Sequence, residues 1–104
     1  MLNIQKAREG NSFLLTLTGR LDTSGAPALE TEVRAVFPEA EALIFDFSEL
    51  DYISSAGLRV LLLSRKEMEN RGSVVVRGAN ETVLEIFEMT GFSSLLTLEQ
   101  QADR

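Results

Sequence analysis

Cysteine and histidine are both missing from this 104-residue chain. Without cysteine there is no disulfide framework, zinc knot or thiol nucleophile, and the composition fits a reducing compartment. Without histidine the commonest general base and the commonest metal ligand are gone, which weighs against hydrolytic and metal-dependent chemistry. No apolar run approaches the roughly 20 residues that span a bilayer, and no leader is legible in the first residues. A cytosolic protein with no membrane insertion is therefore expected. A basic excess is also lacking: ten Lys and Arg face sixteen Asp and Glu, for a net charge of −6. Nucleic acid is a poor partner for such a chain, because a basic face supplies most of that affinity.

What is present is the composition of an ordinary globular protein, 44% hydrophobic and 25% charged. The length suits one domain over residues 1–104, with no linker, repeat or low-complexity segment to divide it. Leu2, Ile4 and Ala7 alternate loosely with polar residues, and Glu9-Gly10-Asn11 is a turn signal. Phe13, Leu15 and Leu17 then share one face of a second strand, so the chain begins with a hairpin at a sheet edge. Gly19 to Asp22 is expected to leave the sheet. Thr23 and Ser24 precede Gly25-Ala26-Pro27 as caps ahead of a helix carrying Leu29, Val33, Val36 and Phe37, which Pro38 ends.

A buried strand, Leu43 to Phe47, is followed by an expected polar loop, Ser48 to Ser55. A central helix runs from about Ser55 to Asn70, with Gly72 as a left-handed stop. Val74 to Val76 make a short strand, and Asn80 caps a third helix bearing Val83, Leu84, Ile86 and Phe87. Gly91 closes that helix, Leu95 to Leu98 form the last strand, and Glu99 to Arg104 are a polar tail. Met68, Met89 and Phe92 are expected to pack into the core or against caps. The order β-β-α-β-α-β-α-β predicts an α/β domain with one mixed sheet: an N-terminal antiparallel hairpin joined to parallel strands.

In open α/β sheets function gathers beyond the carboxyl ends of the strands. Gly19 to Ser24, Ser48 to Ser55 and Gly78 to Asn80 occupy three such ends. Ser54 and Ser55 stand where the central helix starts, and a helix N-terminus presents free N–H groups and about half a positive charge. A serine there is either a cap or a place to carry phosphate. Asp46 and Ser48 are expected to fix their segment through side-chain to backbone bonds.

Four stretches carry a family resemblance: Leu17-Thr18-Gly19-Arg20-Leu21-Asp22, the pair Asp46 and Ser48, Tyr52-Ile53-Ser54-Ser55-Ala56-Gly57-Leu58, and Phe87-Glu88-Met89-Thr90-Gly91-Phe92. In this order the chain resembles the STAS domain of bacterial anti-sigma factor antagonists. The resemblance implies partner switching. The unphosphorylated antagonist would bind an anti-sigma factor that is also a serine kinase of the histidine-kinase-like ATPase fold, freeing a sigma factor. Phosphorylation would release it, and a PP2C-type phosphatase would restore it. The acceptor position of the family motif falls on Ser55, with Gly57 and Leu58 matching its last two positions and Ser54 the alternative hydroxyl.

The partner surface implied by the resemblance comprises Asp22, Thr23, Ser48, Ser54, Ser55, Gly57, Arg59 and Leu63. Two positions depart from the motif: Ser54 stands where aspartate is common, and Ala56 where a second hydroxyl is common. No metal, cofactor or enzymatic activity is expected. The other readings are a non-switching STAS subunit of a lipid-transport ATPase or signalling assembly, and a small nucleotide-binding or enzymatic domain. The missing glycine-rich phosphate loop speaks against the last.

Overall fold

The computed structural model describes residues 2–99. Eight elements of helix and sheet follow the expected order: β1 (Leu2–Glu9), β2 (Ser12–Leu21), α1 (Ala26–Val36), β3 (Ala42–Ile53), α2 (Ser55–Glu67), β4 (Ser73–Arg77), α3 (Glu81–Thr90) and β5 (Thr97–Glu99). A single 3-10 turn, Phe92–Ser94, precedes β5. The strands lie in the spatial order β1-β2-β3-β4-β5, with β1 antiparallel to β2 and every later pair parallel. The hairpin turns in two residues because Gly10 takes φ 64°, the left-handed first position that a primed turn requires.

One face of the sheet is buried. Phe13, Leu15 and Leu17 of β2, Leu43, Phe45 and Phe47 of β3, and Val74 and Val76 of β4 point into the core. Leu29 and Val33 of α1, Leu58 and Leu61 of α2, and Val83 and Phe87 of α3 cover them. Each large apolar side chain taken from water contributes about 1.5–3 kcal/mol. Phe47 is the joint between sheet and α3: its ring lies 6.0 Å from that of Phe45 and 6.5 Å from that of Phe87. Met68 is buried and Phe92 half-buried, as expected, but Met89 is 84% exposed on α3 and adds nothing to the core.

The sequence expectation for β2 and β3 stops short of the structure. Gly19 to Leu21 do not leave the sheet, and Ser48 to Ile53 are not a loop; both are strand. The cause is visible in the register. Thr16 and Thr18 of β2 pair with Asp46 and Glu49, and Gly19 and Arg20 pair with Leu50 and Tyr52. Each step places one extra residue in β3, which is a β-bulge. A bulge reverses the inward-outward alternation. The buried positions therefore run Leu43, Phe45, Phe47 at intervals of two, then Leu50 and Ile53 at intervals of three. A reading that demands strict alternation ends the strand at Phe47.

Helix ends show two further differences. α2 stops at Glu67, not Asn70, and Gly72 is not a left-handed stop, since positive φ occurs only at Gly10, Gly19, Gly78 and Gly91 among the described residues. Gly72 serves close approach instead: a Cβ there would sit 1.9 Å from the Glu41 carbonyl oxygen. The last strand begins at Thr97 because Phe92–Ser94 coil into the 3-10 turn first. Of the expected tail, Glu99 is in β5 and 100–104 lie outside the described residues. Asn80 caps α3 as expected, its Oδ1 accepting from the Val83 N–H at 2.8 Å. Its Nδ2 also donates to the Leu50 carbonyl at 3.0 Å, fastening α3 to the second bulge.

Two stability measurements check these assignments. Gly72→Ala should lower the unfolding free energy by about 1–3 kcal/mol in urea titration, the steric clash outweighing the entropy alanine removes from the unfolded chain. An unchanged midpoint would sink the close-approach account. Asn80→Ala removes a cap and a cross-link together and should cost about 1–3 kcal/mol, whereas Asn80→Asp, which keeps the cap, should recover part of it.

Candidate functional site

The ends of β2 and β3 meet at one edge of the molecule, and a backbone bond joins them. The Ser54 N–H donates to the Leu21 carbonyl at 2.8 Å, tying the end of β3 to the end of β2. Gly57 lets α2 start directly above that junction. It is buried, and a Cβ on it would come within 2.6 Å of Leu21 Cγ and 2.9 Å of Ile53 Cγ1. Gly57 was expected at the partner surface, and the fold encloses it. Its role is to bring the first turn of α2 down onto the sheet.

The two serines divide their work. Ser54 is the N-cap: its backbone is extended (φ −96°, ψ 176°), its Oγ accepts from the Gly57 N–H at 3.4 Å, and its carbonyl accepts from the Leu58 N–H at 2.9 Å. Ser54 therefore fills the capping role that an aspartate could fill equally well. Ser55 is the first residue inside the helix. It is exposed, and its hydroxyl makes no hydrogen bond among the described residues.

Asp22 organises the neighbouring turn. Its Oδ1 accepts from the Ser24 hydroxyl at 2.9 Å, the Gly25 N–H at 3.0 Å and the Ser24 N–H at 3.2 Å. Its carbonyl accepts from the Gly25 and Ala26 N–H groups at the start of α1. The expected caps, Thr23 and Ser24, are therefore not the N-cap; that position is Gly25, which has no capping side chain, and Asp22 supplies the oxygen from three residues upstream. The Ser24 hydroxyl, then the Gly25 N–H, hold the Asp22 carboxyl below its ordinary value. Asp46 repeats the device in β3, its Oδ1 accepting from the Ser48 hydroxyl at 2.7 Å and the Ser48 N–H at 3.0 Å.

The remaining expected residues separate into two places. Thr23, Ala26, Ala56 and Arg59 line a shallow groove between the first turns of α1 and α2. Arg59 and Leu63 continue along α2 into a second groove with Glu30 and Arg34 of α1. Ser48 lines neither, and its hydroxyl is committed to Asp46. Two features at this edge escaped the sequence reading. Arg20 stacks its guanidinium 4.6 Å above the Tyr52 ring, a pair that exists only because the second bulge sets these residues side by side. Glu30 and Arg34 form a 2.9 Å ion pair on the groove wall, whose i,i+4 spacing was there to be read.

Because its folded-state pKa is lowered, Asp22 contributes stability above its ordinary pKa and loses it as pH falls through the folded value. Urea titrations of wild type and Asp22→Asn across a pH series should show a gap that is constant near neutrality and closes in acid. A gap that persists below the folded pKa of Asp22 would assign it to lost packing instead.

This geometry now has relatives to stand beside. A family model described as "Mlab, STAS domain" matches residues 4–97. A proposed anti-sigma factor antagonist of Bordetella bronchiseptica, BtrV, is 40% identical over 85 residues, covering 80% of this chain and 73% of BtrV. Among solved structures, an anti-sigma factor antagonist from Mycobacterium paratuberculosis superposes with a TM-score of 0.89 at 21% identity, covering 99% of this chain and 89% of that one. SpoIIAA, a Bacillus cell-fate determinant, matches in its unphosphorylated form (TM-score 0.86, 17% identity, 97% and 90% coverage) and in its phosphorylated form (0.79, 16%, 97% and 93%). With its sheet order, its hairpin edge and nearly its whole length matched, the chain belongs to the STAS domain family.

Proposed function

We propose that this chain is a cytosolic anti-sigma factor antagonist whose binding is switched off by phosphorylation of Ser55. In the unmodified state it binds an anti-sigma factor kinase of the histidine-kinase-like ATPase fold through the edge formed by Asp22, Thr23, Ser54, Ser55, Arg59 and Leu63. The kinase transfers the γ-phosphoryl group of ATP to Ser55 Oγ, releasing ADP and the hydroxyl proton. A PP2C-type phosphatase hydrolyses the ester and restores the binding form. The chain is a substrate in this cycle and performs no chemistry itself.

The observation that carries the reading is the state of the Ser55 hydroxyl: exposed, without a hydrogen bond among the described residues, on the first turn of a helix whose cap is made by its neighbour. A phosphate there adds between one and two negative charges beside the positive end of the helix dipole, so the fold tolerates it. In a docked interface the same charge must be desolvated or repelled. A loss of about 3 kcal/mol would weaken binding about a hundredfold. The names of the relatives support the antagonist role, and SpoIIAA keeps this fold in both its unphosphorylated and phosphorylated forms. The switch is local electrostatics, with no refolding step.

The second reading, a non-switching STAS subunit of a lipid-transport ATPase or larger assembly, draws on Ser54 and Ala56, where the chain departs from the usual acceptor motif. Phosphate transfer separates the two. Wild type and Ser55→Ala, incubated with host extract, ATP and phosphatase inhibitors, are read by intact mass and peptide mapping. The expected result is one phosphate on Ser55, absent from the variant. Phosphate on Ser54 would move the acceptor by one residue. A bare protein, in an extract that modifies a control antagonist, would favour the non-switching subunit.

A further inference from the structure

Arg59 is the unengaged arginine of the site. Every other arginine among the described residues has a partner: Glu39 for Arg8, the Tyr52 ring for Arg20, Glu30 for Arg34, the Leu95 carbonyl for Arg65, Glu67 for Arg71 and Glu99 for Arg77. Arg59 is exposed and has none among those residues. The one carboxylate that shares both its grooves, Glu30, is already bonded to Arg34 at 2.9 Å.

Its position gives this freedom a direction. Arg59 follows Ser55 by four residues within α2, so the two stand on one face, one turn apart. Side chains on a helix lean towards its N-terminus and cover the preceding turn. From this position a guanidinium can swing back to a group carried on Ser55, whose hydroxyl has no competing bond among the described residues. A guanidinium fork matches phosphate oxygens in a way that a point charge does not.

We infer that Arg59 is the internal receptor for a phosphate on Ser55, donating to its oxygens from one turn along α2. The inference rests on the reading of Ser55 as the modified residue and deepens it. Modification then does two things at once. It adds an anion to the binding edge, and it withdraws from that edge the one arginine left unengaged for a partner's carboxylate. A kinase-binding surface that recognises the unmodified protein through Arg59 loses its cation when the phosphate arrives.

The test places the phosphate without any kinase, by genetically encoding phosphoserine at position 55 of the full chain. A kinase that ignores Ser55 would defeat the proposed function and leave this experiment untouched. Phosphorus NMR follows the phosphate titration in wild type, Arg59→Gln and Arg59→Lys. The phosphate should titrate about 0.3 pH unit higher in Arg59→Gln than in wild type, the size of one helical i,i+4 ion pair. Arg59→Lys should fall between them, and added salt should shrink the difference. In parallel, the Arg59 Nε–H resonance should move between the serine and phosphoserine forms. Coincident titrations in all three proteins, or an Arg59 resonance that ignores the phosphate, would overturn the inference.

Discussion

The contact of Gly57 with Leu21 and Ile53 is the constraint from which the site follows. Only a residue without Cβ can sit there, because the added carbon would lie 2.6 Å from Leu21 Cγ. That approach brings the N-terminus of α2 onto the ends of β2 and β3 and lets the Ser54 N–H reach the Leu21 carbonyl. It is a steric condition with an electrostatic result. The positive end of a 13-residue helix is held at the rim of the sheet, beside the turn that Asp22 organises. The cost is met by the core beneath, where Leu21 and Ile53 are fully enclosed.

The second half of β3 distributes that constraint to the rest of the edge. A regular strand would present alternate residues and run straight past α2. Two bulges instead bend it and keep Phe47, Leu50 and Ile53 all facing inward, so the strand stays anchored while its other residues turn out. The Leu50 carbonyl takes a bond from Asn80, Tyr52 takes the Arg20 guanidinium, and Ser54 takes over as cap. Parallel pairing puts the ends of β2, β3 and β4 at one edge, and the two extra residues of β3 set which of its side chains face that edge.

This explains how much could be read in advance. The order of elements, the hairpin edge, the parallel remainder and the Asn80 and Gly91 helix ends were legible, because each rests on local chemistry: periodicity, capping and a left-handed glycine. The extent of β2 and β3 was not, since a bulge depends on the partner strand and breaks the alternation that announces a strand. Gly72 shows the same limit. Its type was noticed, but whether a glycine serves φ or proximity is decided by a neighbour 31 residues away, Glu41. Ser54 and Ser55 both have capping chemistry, so sequence located the start of α2 at this pair without deciding which hydroxyl makes the cap. Asp22 was expected to leave the sheet and face a partner, and its three bonds required the geometry of the turn.

The division between the serines makes the two adjacent hydroxyls unequal as places to carry a modification. Ser54 is half-buried, and its Oγ is the acceptor for an N–H that would otherwise be left unpaired at the helix start. Esterifying it would disturb a cap worth about 0.5–2 kcal/mol and force a bulky anion into the joint between β3 and α2. Ser55 has no such bond to lose, and its side chain already faces water. The folded protein therefore offers the two adjacent hydroxyls at unequal free-energy cost. The fold itself supplies part of the discrimination that a kinase would otherwise have to make from sequence. A serine at position 54, where the family motif commonly has aspartate, keeps the cap and leaves no carboxylate beside the Ser55 hydroxyl.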